Sequence, residues 1–247
     1  MSTDHFTAVA KQYAHSRPTY PPELFAWLAQ ACAERELAWD VGAGNGQASA
    51  ALAEHFAKVW ATDLSEAQIA QAASHPRIEY RVAPADRSGL PDASVDLVTV
   101  AQALHWFDLD AFYSEVRRVL KPSGLIAVWT YGVLHVEGDA VEERVSRFYH
   151  DVVGAYWPAE RRHVETAYAQ LPVPFAKVPS PEFAIRLAWT LDDLLGYCRS
   201  WSATARCQSA TGSDPVTALE ADLAPVWGAR DQRRVVTWPI AMHVGAR

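Results

Sequence analysis

Hydrophobic residues along the chain fall into short apolar runs, typical of buried strands, and into periodic stretches, typical of helices. Apolar runs bounded by turn residues indicate parallel strands that are covered on both faces. The runs cover residues 37–41, 58–63, 78–83, 95–101 and 125–129. Helical spacing predicts helices over residues 21–35, 47–56 and 108–120. This alternation predicts βαβ units, and therefore a parallel sheet with right-handed crossovers.

The C-terminal half shows a weaker pattern. Residues 121–124, Lys-Pro-Ser-Gly, predict a turn before the fifth strand. Residues 139–171 read as helical with breaks, so a lid is predicted after that strand. Further predicted elements are a sixth strand over 182–187, a helix from the capping box at Thr190 to about Ser200, a helix from Asp214 to about Ala224, and a last strand over 233–243.

The stretch Leu37–Gly46 reads as a strand that breaks into a loop with three alternating glycines, Gly42, Gly44 and Gly46. A strand, a glycine-rich turn and a helix N-terminus predict a nucleotide-type site with backbone N–H groups facing the ligand. The spacing departs from the dinucleotide fingerprint, because the third glycine comes one position early and Gln47 follows it. A tight turn without a ligand is the alternative.

Polar groups follow the other strands at the same predicted sheet edge. Asp63 ends the second strand, and a carboxylate there can accept hydrogen bonds from both hydroxyls of a ribose. Asp86, after the third strand, can accept the amino group of an adenine. The loop over 102–106 follows the fourth strand. Because ligands bind at the carboxyl ends of parallel strands, these groups are predicted to converge. The alternatives are a helix-capping role for Asp63 and an ordinary loop position for Asp86.

The composition of the chain limits the kinds of molecule that it is expected to bind. The chain has 247 residues, half of them hydrophobic, which predicts a single globular domain. A net charge of −7 disfavours nucleic acid and anionic membrane surfaces as partners. We expect no membrane span and no signal peptide, and the odd number of cysteines, three, fits a reducing compartment, so a cytoplasmic location is predicted. A small-molecule substrate is therefore expected, and the oligomeric state is not predicted.

Residues 37–131 resemble the class I S-adenosylmethionine-dependent methyltransferases. The resemblance rests on Asp-x-Gly-x-Gly-x-Gly from Asp40, on Asp-x-Ser from Asp63, and on Ala-Gln-Ala-x-His-Trp-Phe-Asp from Ala101. Together with Tyr-x-x-x-Arg-Pro-x-Tyr-Pro from Tyr13, these motifs are similar to the methyltransferase type 11 subgroup, which includes trans-aconitate-type small-molecule methyltransferases.

The resemblance implies an α/β, Rossmann-like, doubly wound and mostly parallel seven-stranded sheet whose last strand is antiparallel. It implies one methyltransferase domain over residues 1–247. The core would cover about 21–131 and 180–247, a helical lid about 135–178, and an N-terminal flap 1–20.

The resemblance also implies S-adenosyl-L-methionine as the cofactor. Gly42, Ala43 and Gly44 would lie against its methionine part, with Asp40 orienting the ammonium group. Asp63 would hold the ribose, with Leu64 beside it, and Ala85 and Asp86 would meet the adenine. Ala101 and Gln102 would line the sulfonium side, while Tyr13 and Arg17 would close over the methionine tail.

The predicted function is methyl transfer from this cofactor to a small-molecule acceptor, a carboxylate or another oxygen. A carboxylate needs no base, whereas a phenol or an amine would be helped by one, and His105 is the best-placed candidate. Trp106 could favour the sulfonium cation. The alternative is that His105 only anchors its loop. Aromatic residues are candidate walls of an acceptor pocket or else core residues: Tyr131, Tyr156, Trp157, Phe175 and Trp201.

Two other functions stay open at this point. One is a catalytically silent protein that binds S-adenosylmethionine. The other, disfavoured by the glycine spacing, is an NAD-dependent oxidoreductase on a similar sheet. No metal is expected, because His105, Asp108 and Asp110 have no second cluster of ligands to complete a site.

Overall fold

The computed structural model describes residues 18–247, so the predicted flap residues Tyr13 and Arg17 lie outside the described part of the chain. The described chain divides into two compact units. We call Tyr20–Gly132, His163–Ala184 and Pro239–Arg247 the core unit, and Val133–Arg162 with Ile185–Trp238 the helical unit. This grouping cuts across the predicted lid over 135–178, so the action of that segment as a lid stays a prediction.

A parallel sheet forms the centre of the core unit. Its strands lie in the order β3-β2-β1-β4-β5. They are β1 (Leu37–Val41), β2 (Lys58–Asp63), β3 (Ile78–Val82), β4 (Val95–Ala101) and β5 (Leu120–Tyr131). Helix α1 (Pro22–Ala31) precedes β1, and helices α2 (Gln47–Ala53), α3 (Glu66–Ile69) and α4 (Leu109–Val119) follow β1, β2 and β4. All residues of β4 from Val95 to Val100 are buried, as expected of a strand covered on both faces.

The last strand, β9 (Arg234–Ala246), runs antiparallel to β5, pairing from Leu125 with Ala246 to Tyr131 with Ile240. The predicted Rossmann-like fold with an antiparallel last strand is therefore confirmed. All seven predicted strands are present. The described residues add two short ones, β6 (His135–Val136) and β7 (Ala176–Val178).

The helical unit contains α5 (Asp139–Arg147), α7 (Leu191–Arg199), α8 (Ser202–Thr211) and α9 (Pro215–Trp227). A short helix α6 (Arg161–Glu165) begins at its edge, and β8 (Phe183–Trp189) pairs with β9. The predicted cap at Thr190 is confirmed as a complete capping box with Asp193. Within residues 18–247, no helix combines the length and the apolar character needed to cross a membrane.

One helix was missed, and the start of one strand was predicted wrongly. Helix α8 was missed because its sequence, Ser-Ala-Thr-Ala-Arg-Cys-Gln-Ser-Ala-Thr, offers few apolar residues and no side-chain N-cap. The turn predicted at 121–124 is instead the start of β5 at Leu120. This early start accompanies a register shift against β4 between Val95 and Leu97. A tertiary ion pair holds it, because the Lys121 ammonium lies 2.7 Å from the Asp96 carboxylate.

Asp96 connects three segments of the core unit. Its carboxylate is almost fully buried and accepts the N–H groups of Glu36 at 2.8 Å and Leu37 at 2.9 Å, where β1 begins. Its other oxygen faces Lys121. Removal of the carboxylate would leave two backbone N–H groups and an ammonium without their partner. Replacing Asp96 is therefore expected to lower the free energy of unfolding.

We expect Asp96→Ala to lower the free energy of unfolding by about 2–4 kcal/mol, because two N–H donors and a lysine lose their acceptor. Urea unfolding followed by circular dichroism measures the change. Asp110→Ala, at an exposed aspartate on α4, is the matched control and should stay within about 0.5 kcal/mol of wild type. An Asp96 variant as stable as that control would contradict this account of the β1 start.

Candidate functional site

A cavity of about 370 Å³ opens at the carboxyl ends of the parallel strands. Predicted groups from the four loops that follow β1, β2, β3 and β4 line it together. Its walls are Val41, Gly42, Asp63, Leu64, Ala83, Pro84, Ala85, Asp86, Ala103, Trp106, Phe107 and Asp108. The cavity therefore brings together Gly42, Asp63, Leu64, Ala85, Asp86 and Trp106 from the predicted set.

The N–H groups of the glycine loop are used inside the protein. Those of Gly42 and Ala43 both donate to the Thr62 carbonyl, at 2.8 and 3.0 Å, and that of Gly44 donates to the Asp63 carboxylate at 2.8 Å. We expected these N–H groups to face the ligand, and this expectation was wrong. The tip of β2 takes the N–H groups of Gly42, Ala43 and Gly44 instead, so these three donors are not offered to a ligand.

Close packing explains two of the glycines. Gly42 has a φ of +68°, and a Cβ there would lie 2.6 Å from the Cβ of Ala103. Gly46 has a φ of +84°, and a Cβ there would lie 2.2 Å from the Tyr80 hydroxyl. Both positions therefore require glycine on conformational and steric grounds. Tyr80, which the sequence reasoning missed, closes the loop from the β3 side.

Asp40 lies beneath the loop and not on the cavity surface. Its carboxylate is fully buried, and it accepts the hydroxyls of Ser49 at 2.5 Å and Thr99 at 2.8 Å. Burial raises the pKa of Asp40 to about 6, and the two hydroxyls partly oppose that shift. The role predicted for Asp40, orienting an ammonium group, stays a prediction.

Asp63 lies at the edge of the cavity and also binds two nearby backbone N–H groups. Its two carboxylate oxygens accept the N–H groups of Gly44 and Ser65, each at 2.8 Å. Each carboxylate oxygen can accept a further hydrogen bond, so the side chain can still receive a pair of ligand hydroxyls. The helix-capping alternative for Asp63 was wrong, because the N-cap of α3 is Ser65, whose side chain accepts the N–H of Gln68.

Large apolar side chains stand exposed at the same cavity. Leu64 is 74% exposed and Trp106 is 65% exposed, although both are hydrophobic. Exposed apolar surface that is confined to a cavity rim is typical of a ligand site. These two side chains offer flat or branched surfaces to the faces of a bound ring.

Gln102, just beyond Ala101 at the end of β4, adopts a strained conformation. Its φ of +58° is uncommon for a residue other than glycine. Its side chain is held at both ends, because its amide oxygen accepts the Thr130 hydroxyl at 2.5 Å and its amide nitrogen lies 3.4 Å from the Tyr131 carbonyl. Such strain persists where the surroundings determine the geometry, and it is concentrated at functional sites.

His105 lies on a short 3-10 turn, Leu104–Trp106, that follows β4. Its Nδ1 atom is 2.8 Å from the Tyr168 hydroxyl, and its ring centroid lies 4.8 Å from that of Trp106. The His163 ring is nearly parallel to it at 6.5 Å. Sequence reasoning missed Tyr168 and His163, because both lie in the segment predicted only as a broken helical lid.

The five predicted acceptor-pocket aromatics are divided between the units. In the core unit, Tyr131 lies beside Tyr20, with ring centroids 6.3 Å apart, and Phe175 packs on Tyr113 at 5.8 Å. In the helical unit, Trp157 and Trp201 lie 5.6 Å apart. The Tyr156 carbonyl there accepts a hydrogen bond from Arg206 at 3.4 Å. Phe175 thus occupies a packing position in the core unit.

The chain is similar to several proteins that are named as methyltransferases. A family described as "Methyltransferase domain" matches residues 39–128. A Dictyostelium discoideum protein named as a methyltransferase is 34% identical over 231 residues, covering 92% of this chain and 88% of that one. The solved structure of a type II methyltransferase from Anaeromyxobacter dehalogenans superposes with a TM-score of 0.89 at 46% identity, covering 93% of this chain and 97% of that one. An uncharacterized methyltransferase of Mycobacterium tuberculosis is 36% identical over 155 residues, covering 57% and 63% of the two chains.

We expect Asp40 to make the stability depend on pH. Its folded-state pKa of about 6 lies above its ordinary value of 3.8, so its contribution is fully present below pH 3.8 and is lost as the pH rises through 6. Relative to Asp40→Asn, the wild type should therefore lose up to about 1.4 kcal/mol per pH unit across this interval.

Urea unfolding at pH 4, 5, 6 and 7 measures this difference. Asp110→Asn is the control, and its stability should follow that of the wild type at every pH. A constant gap between wild type and Asp40→Asn from pH 4 to 7 would show that the Asp40 carboxyl is not perturbed by its burial.

Proposed function

Because this chain belongs to the family of methyltransferase domains, whose members use S-adenosyl-L-methionine, we propose that it transfers the methyl group of that cofactor to an oxygen atom of a small-molecule acceptor. The enzyme is an S-adenosylmethionine-dependent methyltransferase.

We assign the cofactor to this cavity because of the hydrogen bonds that the glycine loop makes. A dinucleotide site needs N–H donors aimed at a pyrophosphate. Here three successive N–H groups, from Gly42 to Gly44, are bound to Thr62 and Asp63. This arrangement suits a nucleoside that carries no phosphate, and it disfavours the NAD-dependent alternative.

The remaining lining groups fit the parts of such a nucleoside. The Asp63 carboxylate can accept the ribose hydroxyls, and the Asp86 carboxylate can accept the adenine amino group. Leu64 and Trp106 provide exposed apolar surface beside them. We assign Gly42, Ala43 and Gly44 to the methionine part, with Asp40 acting through its charge, and Ala101 and Gln102 to the sulfonium side.

The bound cofactor supplies an activated methyl group on a sulfonium. The residues of the chain then have to align the acceptor and exclude water. His105 is a candidate base for an acceptor that carries a proton, and Trp106 is a candidate partner for positive charge. An oxygen acceptor, either a carboxylate or a hydroxyl, agrees with the sequence resemblance to trans-aconitate-type enzymes.

The aromatic residues predicted for the acceptor remain candidates for contacts with its apolar body. In the helical unit, the Arg161 guanidinium lies 4.8 Å from the centre of the Trp157 ring. The Trp157 indole N–H is buried and has no hydrogen-bond partner among the described residues. A buried N–H beside a cation can donate a hydrogen bond to an anionic or carbonyl oxygen, which supports an oxygenated acceptor.

We also propose a domain organisation for the whole chain. We assign residues 1–247 to one catalytic domain, with 135–178 as a lid over the acceptor and 1–20 as a flap. We also propose that it acts in the cytoplasm, which the three free and buried cysteines support.

We expect S-adenosylhomocysteine to bind the wild type in calorimetric titration, and Asp63→Ala to weaken that binding about 10- to 100-fold. The reason is that the ribose loses two hydrogen bonds to a charged acceptor. Asp110→Ala is the matched control and should bind like the wild type. Thermal unfolding of Asp63→Ala is measured alongside, because Asp63 also holds Gly44 and Ser65.

No binding to the wild type at millimolar S-adenosylhomocysteine would reject the cofactor assignment to this chain. Unchanged binding to a folded Asp63→Ala would reject the ribose role of Asp63 and keep the cofactor. NADH serves as the competing ligand, and we expect no heat of binding from it.

We expect an acceptor screen to find turnover among oxygen nucleophiles. Wild type and Asp63→Ala are incubated with S-adenosylmethionine and a panel of carboxylic acids, phenols, alcohols, amines and thiols, and S-adenosylhomocysteine formation is followed. Asp63→Ala reports the background of each acceptor. Turnover confined to amines or thiols would contradict the oxygen assignment.

A further inference from the structure

The loop that follows β3 carries Ala85 and Asp86, which line the cavity. A turn in this loop is closed by the Arg87 N–H, which donates to the Pro84 carbonyl at 3.2 Å. The Asp86 side chain is exposed, and within residues 18–247 no hydrogen bond or ion pair holds its carboxylate. The direction in which this carboxylate faces is therefore set by the backbone of the loop.

Ser88, two residues after Asp86, anchors the end of the loop. It is almost fully buried, and its N–H and its hydroxyl both donate to one carboxylate oxygen of Glu115 on α4, at 2.8 and 2.5 Å. The same hydroxyl accepts the Leu90 N–H at 3.1 Å, and the Ser88 carbonyl accepts the indole N–H of Trp60 at 3.0 Å. A buried residue whose polar groups are all bonded leaves its backbone little freedom.

Glu115 is itself held in one orientation. Its side chain is almost fully buried, and the Arg118 guanidinium donates to both of its carboxylate oxygens, at 2.8 and 2.7 Å. Such a bidentate pair has a defined geometry. Burial alone would raise the pKa of Glu115, but the bonds from Arg118 and Ser88 hold this pKa below its ordinary value. The acceptor of the Ser88 bonds is therefore a charged carboxylate at neutral pH.

We propose that Glu115 is a positioning residue: through Ser88 it fixes the loop so that Asp86 accepts the amino group of an adenine, and it thereby sets the preference of the cavity for adenine over other purines. This inference rests on the proposed function, because it takes the ligand of the cavity to be an adenosyl compound. Glu115 is not among the residues that line the cavity, so it acts through the loop and not by contact.

The preference can be measured with two ligands that differ at the base. S-inosylhomocysteine carries an oxygen where S-adenosylhomocysteine carries the amino group, so at this position it offers Asp86 a lone pair and no donor. In calorimetric titration we expect the wild type to bind the adenosyl ligand about 10-fold more tightly, the effect of one hydrogen bond to a charged group. Glu115→Ala should lower this ratio to about twofold, because the loop no longer holds Asp86 against the base.

Asp96→Ala is the matched control for loss of stability. Asp96 is also a buried carboxylate that accepts two donors and pairs with a cation, but it lies where β1 begins. We expect this variant to be less stable than the wild type and to keep the wild-type ratio. All titrations are made at a temperature at which thermal unfolding shows each variant to be folded.

A double-mutant cycle tests whether Glu115 acts through Asp86. Asp86→Ala should by itself lower the ratio to about twofold, since the acceptor of the amino group is gone. Glu115→Ala added to Asp86→Ala should change the ratio no further, because the group that Glu115 positions is absent. A further loss of equal size in the double variant would show that the two residues act independently.

That independent loss would overturn the proposal, and so would a wild-type ratio in folded Glu115→Ala or an equally lowered ratio in Asp96→Ala. If Glu115→Ala does not fold, Ser88→Ala decides, because it removes one of the two donors to Glu115. We expect its ratio to fall about threefold, and an unchanged ratio would overturn the proposal.

The same titrations keep this proposal apart from the proposed function. A wild type that binds neither ligand at millimolar concentration rejects the proposed function. A wild type that binds both ligands equally keeps the cofactor, but it rejects the roles of Asp86 and Glu115 in reading the base.

Discussion

The site depends on the tip of β2. The Thr62 carbonyl takes two successive N–H groups of the glycine loop, and the Asp63 carboxylate takes a third. These bonds fold the loop back onto the sheet, and they leave Asp63 facing the cavity with oxygen lone pairs to spare. A single strand end therefore shapes the loop and also places a carboxylate at the cavity. Loss of this anchor would disturb both at once.

A second set of constraints acts at the end of β4. Gln102, with a φ of +58°, accepts the Thr130 hydroxyl, and Tyr168, in a strained turn far away in the sequence, has its hydroxyl 2.8 Å from Nδ1 of His105. Strain of this kind has a cost, so the fold must supply buried contacts that outweigh it. The nearly complete burial of β4 and β5 provides these contacts. The core thereby stabilises a conformation that neither segment would adopt alone.

The sequence predicted the parts of the fold that follow local rules. Strands covered on both faces read as apolar runs, and because parallel strands end at one edge, Asp63, Leu64 and Asp86 could be placed at the same cavity. Features set by tertiary contacts could not be read in this way. The early start of β5 depends on the ion pair between Lys121 and Asp96, and the partner of His105 comes from 63 residues away. The internal use of the loop N–H groups also depends on a neighbouring strand, which a glycine pattern does not report.

The inward-facing donors of the glycine loop have a consequence for competition among nucleotides. In a cell, ATP and the nicotinamide dinucleotides share the adenosine group with S-adenosylmethionine. A loop that offered its N–H groups would attract their phosphates. Here the N–H groups of Gly42, Ala43 and Gly44 are occupied. The lining also contains three carboxylates, Asp63, Asp86 and Asp108. Carboxylates repel phosphate charge at close range. The lining of the cavity therefore disfavours ligands that carry phosphate groups.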